Sequence, residues 1–200
     1  VPVCSFLSGG IDSSIVTAVA SKYLQNSGTI LNTFSFDFKD NDTYFCANAF
    51  QPERDRPFVD LMKNHYYLNH TYLECDEEHL LQLLYSSVDA KDLPGMADVD
   101  ASLLYFCSLV SEHNKVALTG ECADEIFGGY PWFYRNDLKQ IKGFPWSYDF
   151  DMRIGLLTQD FIQKLCIEEY VQDKYIESIR AVSRLDGDNA VDGKSREITY

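Results

Sequence analysis

The segment Ser8-Gly9-Gly10-Ile11-Asp12-Ser13-Ser14 constrains this chain more than any other. It follows the apolar run Val3-Cys4-Ser5-Phe6-Leu7. Ile11, Ile15, Val19 and Tyr23 then recur near helical spacing until Asn26-Ser27-Gly28 ends the element. A strand, a glycine turn and a helix N-terminus, in that order, build a site for a phosphate-like anion. Glycine lets the backbone turn sharply and approach a ligand without a Cβ in the way. The first helical amides lack internal partners and carry the positive end of the helix dipole. Ser8, Ser13 and Ser14 add hydroxyl donors. Asp12 opposes an anion unless a divalent cation lies between them, an arrangement of oxygen ligands that suits magnesium.

No Gly-Lys-Ser/Thr ending follows, so this is not the loop of nucleoside triphosphatases that hydrolyse the γ-phosphate. The pattern resembles the pyrophosphate-binding loop of the ATP pyrophosphatases. Those enzymes cut ATP between the α- and β-phosphates and attach AMP to a substrate. Read in isolation, the same seven residues are also compatible with a serine-capped helix start.

Composition narrows the partners. A chain of 200 residues with 46% hydrophobic content suffices for one full domain or slightly more. Its formal charge of −14 argues against nucleic acid, because polyanion binders concentrate Lys and Arg. The same charge gives no help in capturing anionic ATP from a distance, so an ATP site here relies on local amides, metal and a few bases. No apolar stretch reaches membrane-spanning length, and no membrane partner is expected. The six cysteines (Cys4, Cys46, Cys75, Cys107, Cys122 and Cys166) are scattered without a CxxC pair, and the four histidines make no metal-ligand spacing with them. Most of these cysteines sit in apolar stretches and read as small buried side chains of a reduced, cytoplasmic protein.

Along the chain, a second strand is expected over 30–38, where Phe34, Phe36 and Phe38 alternate with Thr33, Ser35 and Asp37. A polar excursion over 39–57 leads to a helix near 58–67, then a short strand near 70–74. Leu80, Leu81, Leu84 and Val88 mark a helix ended by Leu93-Pro94-Gly95. Leu103, Leu104, Cys107 and Val110 mark one face of the next, which runs to about His113. Val116-Ala117-Leu118 reads as a buried strand with Gly120 just beyond it. Strands alternating with helices predict an α/β fold, a parallel sheet flanked by helices, with ligands at the carboxyl ends of the strands. Residues 1–134 read as this α/β domain and 135–200 as an incomplete helical extension. In the latter, Phe161, Ile162, Leu165, Tyr175, Ile176 and Ile179 are expected to be buried, and Asp186-Gly187 and Asp192-Gly193 mark the polar end.

Gly120-Glu121-Cys122-Ala123-Asp124-Glu125-Ile126-Phe127-Gly128-Gly129-Tyr130 is the second informative segment. Its leading glycine gives access to a ligand at a strand end. Glu121 and Asp124, three residues apart, can serve one site, one orienting a metal with Asp12 and the other handling a proton. An acidic helix N-terminus favoured by the dipole is the plainer reading of the pair. The following Tyr130-Pro131-Trp132-Phe133-Tyr134 is expected to pack the sheet domain onto the helical tail, with an interaction surface as the alternative.

Together the two segments resemble the synthetase domain of the glutamine-hydrolysing asparagine synthetase family. Val1 through Ser14, the strand 32–37 and Lys115 through Tyr130 carry the match. The resemblance implies formation of β-aspartyl-AMP from aspartate and Mg·ATP, followed by displacement of AMP by ammonia to give asparagine. It implies that Ser8, Gly9, Gly10, Ser13 and Ser14 hold pyrophosphate, and that Asp12 and Asp124 hold Mg2+. The resemblance further implies that the backbones of Leu7, Phe36 and Gly120, with Thr119 beside the last, flank the ATP adenosine. Glu121 is implied as the catalytic carboxylate, a general base for ammonia, although a nearby metal lowers a carboxylate's proton affinity. Three departures stand out. Cys122 and Ala123 replace a glycine and a small residue. The resemblance implies a glutaminase domain upstream in the full-length chain, which is not expected within residues 1–200, position 1 being valine. The helical segment carrying a phosphoryl-stabilising lysine is expected beyond Tyr200. A homodimer is compatible with the resemblance. Asp98 and Asp100 are candidates for aspartate binding by position alone, with a solvated loop as the simpler reading.

Two other functions fit the same features. One is another amide-forming adenylating enzyme, ring-closing or peptide-modifying, against which Glu121 leans. The other is a non-catalytic nucleotide-binding scaffold, against which the joint presence of Asp12, Glu121 and Asp124 argues.

Overall fold

A computed structural model describes residues 1–47, 51–93, 95–139, 141–147, 150–183 and 185–187. Two compact units divide it, Val1–Glu121 and Cys122–Tyr200.

The first unit holds a four-stranded parallel sheet in the order β3-β2-β1-β4. Its strands are β1 (Val3–Phe6), β2 (Leu31–Phe38), β3 (Leu68–Cys75) and β4 (Val116–Leu118). Helix α1 (Ile11–Gln25) joins β1 to β2. The short α2 (Asn41–Tyr44) and then α3 (Arg56–His65) join β2 to β3, and α4 (Glu77–Lys91) and α5 (Ala97–Ser111) join β3 to β4. Every strand pair is parallel, as the alternation of strands and helices predicts.

The pleat gives the sheet two unlike faces. Cys4, Phe34 and Val110 form a buried apolar cluster with Phe6, Phe36, Leu73 and Ala117 around it. Phe106 of α5 stacks on Phe36 with ring centroids 4.4 Å apart and an interplanar angle of 11°. Phe106 also meets Phe38 edge-on at 6.5 Å. Helix α5 runs from Phe106 to Val110 alongside these strands. Helix α4 runs back along it, fixed by a His79–Tyr105 ring contact at 5.1 Å and a Lys91–Asp100 ion pair at 2.5 Å.

The opposite face is polar. The register aligns Ser5 with Thr33 and Thr33 with His70. Thr17 of α1 shares a 2.9 Å hydrogen bond with Ser5, and Thr33 shares one of 2.8 Å with His70 Nδ1. Small hydroxyl side chains let α1 approach closely, and its buried stripe is Ser13, Thr17 and Ser21. The apolar stripe that marks α1 in the sequence therefore points away from the sheet. Ile11, Ile15, Val19 and Tyr23 are 77%, 57%, 65% and 76% exposed.

Other expectations shift for similar reasons. The flat stacking of Phe106 on Phe36 sets the rotation of α5, so Ala101, Ser102, Phe106 and Val110 are buried while Leu103 and Cys107 are exposed. Strand β4 is an edge of this sheet, and Val116 is exposed rather than buried. In α4, Leu81 and Val88 are exposed. Only Cys4 and Cys75 are buried cysteines; Cys46, Cys107, Cys122 and Cys166 are exposed.

The second unit contains α6 (Ala123–Phe127), α7 (Pro131–Tyr134), α8 (Asn136–Lys139), a 3-10 turn (Pro145–Ser147), α9 (Phe150–Ile154), α10 (Gln159–Leu165) and α11 (Ile167–Ala181). Aromatic rings link these short elements. Tyr130 stacks on Trp132, Trp132 meets Trp146, Trp146 stacks on Phe144, and Phe144 meets Tyr175 of α11 edge-on. The aromatic segment after the second motif thus packs onto the helical tail. Phe161 and Leu165 are exposed, contrary to their expected burial, while Ile162, Tyr175, Ile176 and Ile179 are half-buried. Asp192-Gly193 lies outside the described residues. No described helix is long and apolar enough to cross a membrane.

His70 makes the polar face sensitive to pH. Its Nε2 is buried without a hydrogen-bond partner among the described residues, and burial pushes its pKa down to about 4. Between the ordinary value near 6.5 and 4 the unfolded chain binds a proton that the folded chain refuses. Stability should therefore fall as pH falls through this window. His70→Phe should flatten that slope by up to about 1 kcal/mol per pH unit in urea unfolding. Identical slopes for the two proteins would exclude His70 as the cause.

Candidate functional site

The loop after β1 is shaped by its own hydroxyls and by two glycines. Gly9 has φ +82°, a left-handed conformation that favours glycine. A Cβ there would fall 2.6 Å from Phe58 Cβ and 3.0 Å from the Asp55 carbonyl, so the loop lies directly against the start of α3. Ser13, buried, accepts from the Ser8 amide at 3.2 Å and donates to the Gly10 carbonyl at 3.2 Å. Ser8 Oγ bonds Ser13 Oγ at 3.0 Å and accepts from the Gly10 amide at 3.4 Å. These bonds pull the turn closed before α1 begins. Gly10 is the N-cap and supplies no side chain to the first amides of α1. Ser14 stands on the first turn, its amide bonded to the Gly10 carbonyl at 3.0 Å.

Asp12 is also on that first turn and is half-buried. Its carboxylate takes part in no hydrogen bond or ion pair among the described residues. An acidic side chain at a helix N-terminus with its oxygens uncommitted fits a cation ligand.

Gly120 reaches the same loop from β4. A Cβ on Gly120 would fall 2.7 Å from the Ser13 nitrogen and 2.9 Å from Asp12 Cβ. The leading glycine of the second motif is thus seated on the first turn of α1, where no side chain fits. Thr119 and Glu121 flank it, both exposed, and Thr119 Oγ1 accepts from the Glu121 amide at 3.3 Å.

On the other side of the loop lies a cavity of about 180 Å³ at the ends of β1 and β2. Leu7, Ser8 and Phe36 line it, and so do Asp37, Asp55 and Arg56. Leu7 is fully buried, its amide bonded to the Phe34 carbonyl and its own carbonyl taken by Ser35 Oγ. Phe36 directs its ring into the α5 face, so it offers the cavity backbone. Asp37 caps the turn after β2, accepting from the Phe38 amide at 2.9 Å and Asn41 Nδ2 at 2.7 Å. Burial and the Asp37 charge raise the Asp55 pKa, against a lowering hydrogen bond from Gln51.

Asp55, Arg56, Val59 and Tyr72 line this cavity but belong to neither motif. The one sequence signal near them is Asp55-Arg56-Pro57, a helix start with proline in its first turn. Asp100 resolves differently from its positional reading. It stands on the first turn of α5 with its side chain 11% exposed, bound to Lys91, and so anchors the α4–α5 pair rather than lying in a solvated loop. Asp98 stands on the same helix turn.

In the second unit, Asp124 lies on the first turn of α6. Its carbonyl accepts from the Gly129 amide at 3.0 Å, and a side chain at Gly129 would collide with its carboxylate. Tyr130 donates to Glu125 at 2.9 Å, which together with burial pushes the phenol up to about 12. Cys122, the N-cap of α6, has φ +67°. That conformation explains why glycine suits the position better than cysteine. Among the described residues no group of three or more His, Cys, Asp or Glu side chains forms a ready cation cage.

Two stability predictions follow from these contacts. Gly120→Ala should cost about 2 kcal/mol, because its methyl must displace backbone rather than a flexible side chain. Cys122→Val should cost about 1–2 kcal/mol and Cys122→Gly nothing, since only the branched residue worsens the left-handed strain. Chemical unfolding of the three variants measures both, and an unchanged midpoint for Gly120→Ala would contradict the packing described.

The chain has well-defined relatives. A family model described as asparagine synthase matches residues 1–200. Over its whole length the chain is 45% identical to glutamine-hydrolyzing asparagine synthetase 3 of Bacillus subtilis (strain 168), covering 32% of that protein. It is 33% identical to glutamine-hydrolyzing asparagine synthetase 1 of the same organism, over 69% of this chain and 20% of the relative. Against glutamine-hydrolyzing asparagine synthetase 3 of Arabidopsis thaliana the identity is 28%, over 68% of this chain and 23% of the relative. The chain therefore spans about a third or less of the length of these curated relatives. With Gly120 seated at the start of α1 and the family model covering every residue, the chain belongs to the asparagine synthase family.

Proposed function

We propose that this chain forms the nucleotide-binding part of an asparagine synthetase that adenylates aspartate. In this reading the aspartate β-carboxylate attacks the α-phosphorus of ATP and pyrophosphate leaves. Ammonia, released from glutamine by a separate glutaminase domain of the full-length protein, then attacks the acyl carbon, and AMP leaves. The observation that carries the reading is the seating of Gly120 on Asp12 and Ser13, which joins the two motifs at one helix N-terminus.

Each residue has a role set by its position. The turn Ser8-Gly9-Gly10 and the first amides of α1 receive the pyrophosphate oxygens. Ser13 holds the turn closed from within, and Ser14 adds a hydroxyl from the first helical turn. The backbones of Leu7, Phe36 and Gly120, with Thr119 alongside, bound the adenosine. Asp12 would hold Mg2+ at the loop, with Asp124 its second ligand in this reading, and the ion would supply positive charge against the phosphates. Glu121 takes a proton from the attacking ammonia; its exposure keeps it accessible to solvent exchange.

The charge of the chain also favours metal-bound over free nucleotide. A −14 chain repels the tetra-anion of ATP, and magnesium removes half of that charge. Calorimetric titration should therefore give magnesium-dependent ATP binding. Asp12→Ala should weaken it about tenfold or more, equivalent to roughly 1.4 kcal/mol or above. Pyrophosphate release should require aspartate among a panel of carboxylic acids. Equal ATP affinity with and without magnesium, and in Asp12→Ala, would sink the reading. Release driven by a larger acid but not aspartate would favour the ring-closing or peptide-modifying alternative.

A further inference from the structure

Arg56 lies outside both motifs, yet it lines the cavity between the Leu7–Ser8 and Phe36–Asp37 strand ends. Its guanidinium carbon sits 4.4 Å from the centroid of the Tyr72 ring, which lines the same cavity. Tyr72 is itself held. Its hydroxyl donates to Asp60 at 2.9 Å, and Lys63, bonded to that carboxylate at 3.1 Å, approaches the ring to 4.8 Å. Arg56 is fixed from its backbone as well. It opens α3, whose first turn is bonded to the Asp55 carbonyl and pressed against Gly9. Glu74, 3.8 Å from the guanidinium, makes a long and half-exposed pair that leaves the planar group available for stacking.

The lining decides what such a cavity accepts. Asp37 and Asp55 both face it, so a phosphate is repelled there, whereas the exocyclic amino group of a base finds acceptors. Leu7 and Val59 supply apolar contact. A planar guanidinium braced on one aromatic ring is suited to stack on a second flat ring. With the adenosine bounded by Leu7 and Phe36 as proposed above, we propose that Arg56, braced by Tyr72, is a base-stacking residue of the site. This rests on the ATP-binding reading above and adds to it a wall contributed by α3 and β3.

The test compares Mg·ATP with Mg·tripolyphosphate, which carries the same phosphate chain without base or ribose. Both are titrated calorimetrically into the chain and into its Arg56→Ala, Arg56→Lys and Asp12→Ala variants. Arg56→Ala should weaken ATP binding about five- to tenfold and leave tripolyphosphate binding unchanged. Arg56→Lys, which keeps the charge but not the plane, should recover only part of the loss. Asp12→Ala should weaken both ligands. Unchanged ATP affinity in Arg56→Ala overturns the proposal, and so does an equal loss for both ligands, which would make Arg56 a phosphate contact. If the unaltered chain binds tripolyphosphate no more weakly than ATP, the base has no subsite and the proposal fails while the loop reading survives. If it binds neither, both readings fall.

Discussion

The contact on which the rest of this structure depends is the approach of Gly120 to the backbone at Asp12 and Ser13. Two segments more than a hundred residues apart meet there, one ending a strand and the other starting a helix. Hydrogen bonds between β1 and β4 bring the strands together, with Ser5 level with Leu118. Nothing in that ladder requires the next turn to touch α1. The missing side chain of Gly120 permits it. On the far side of the loop Gly9 does the same for α3. The loop is thus clamped between two neighbours that reach its backbone, and its amides are held in place before any ligand arrives. Preorganised donors of this kind need no rearrangement to bind charge.

Around that clamp the chain separates its chemistry by sheet face. The α5 side carries the aromatic cluster that gives the sheet its apolar burial, and the α1 side is joined by hydroxyls and one buried imidazole. The division explains how a helix with serine and threonine as its inner residues can still sit tightly on a sheet. Those small side chains leave the space that brings the α1 N-terminus to the strand ends, where its dipole is useful.

Much of this was legible in the sequence. The strand–turn–helix of 3–25, the alternation in 30–38 and the parallel sheet all follow from periodicity and glycine placement. Burial was less legible, and for a physical reason. Of the face read as Leu103, Leu104, Cys107 and Val110, Val110 is buried but Leu103 and Cys107 are exposed, because ring stacking of Phe106, not apolar spacing, sets the helix rotation. The exposed cysteines differ from their expected burial because flanking apolar residues say little about which way a particular side chain turns. Tyr72 carried no signal and Arg56 only that of a helix start: they are sixteen residues apart, on different elements, and only the β2–β3 register and the seat of α3 bring them to one cavity.

The outward stripe of α1 has a consequence for how the molecule behaves in solution. Ile15, Val19 and Tyr23, with Val3 and Leu118, border an apolar groove of about 520 Å³. Contiguous apolar surface favours self-association, and like charge opposes it. With a formal charge of −14, mutual repulsion opposes the approach of two copies of this chain in dilute buffer. Salt shortens the range of that repulsion to about 10 Å at 0.1 M, while leaving the attraction between apolar faces in place. Colloidal stability of this chain is therefore a balance set by ionic strength, and a purification that relies on high salt works against it.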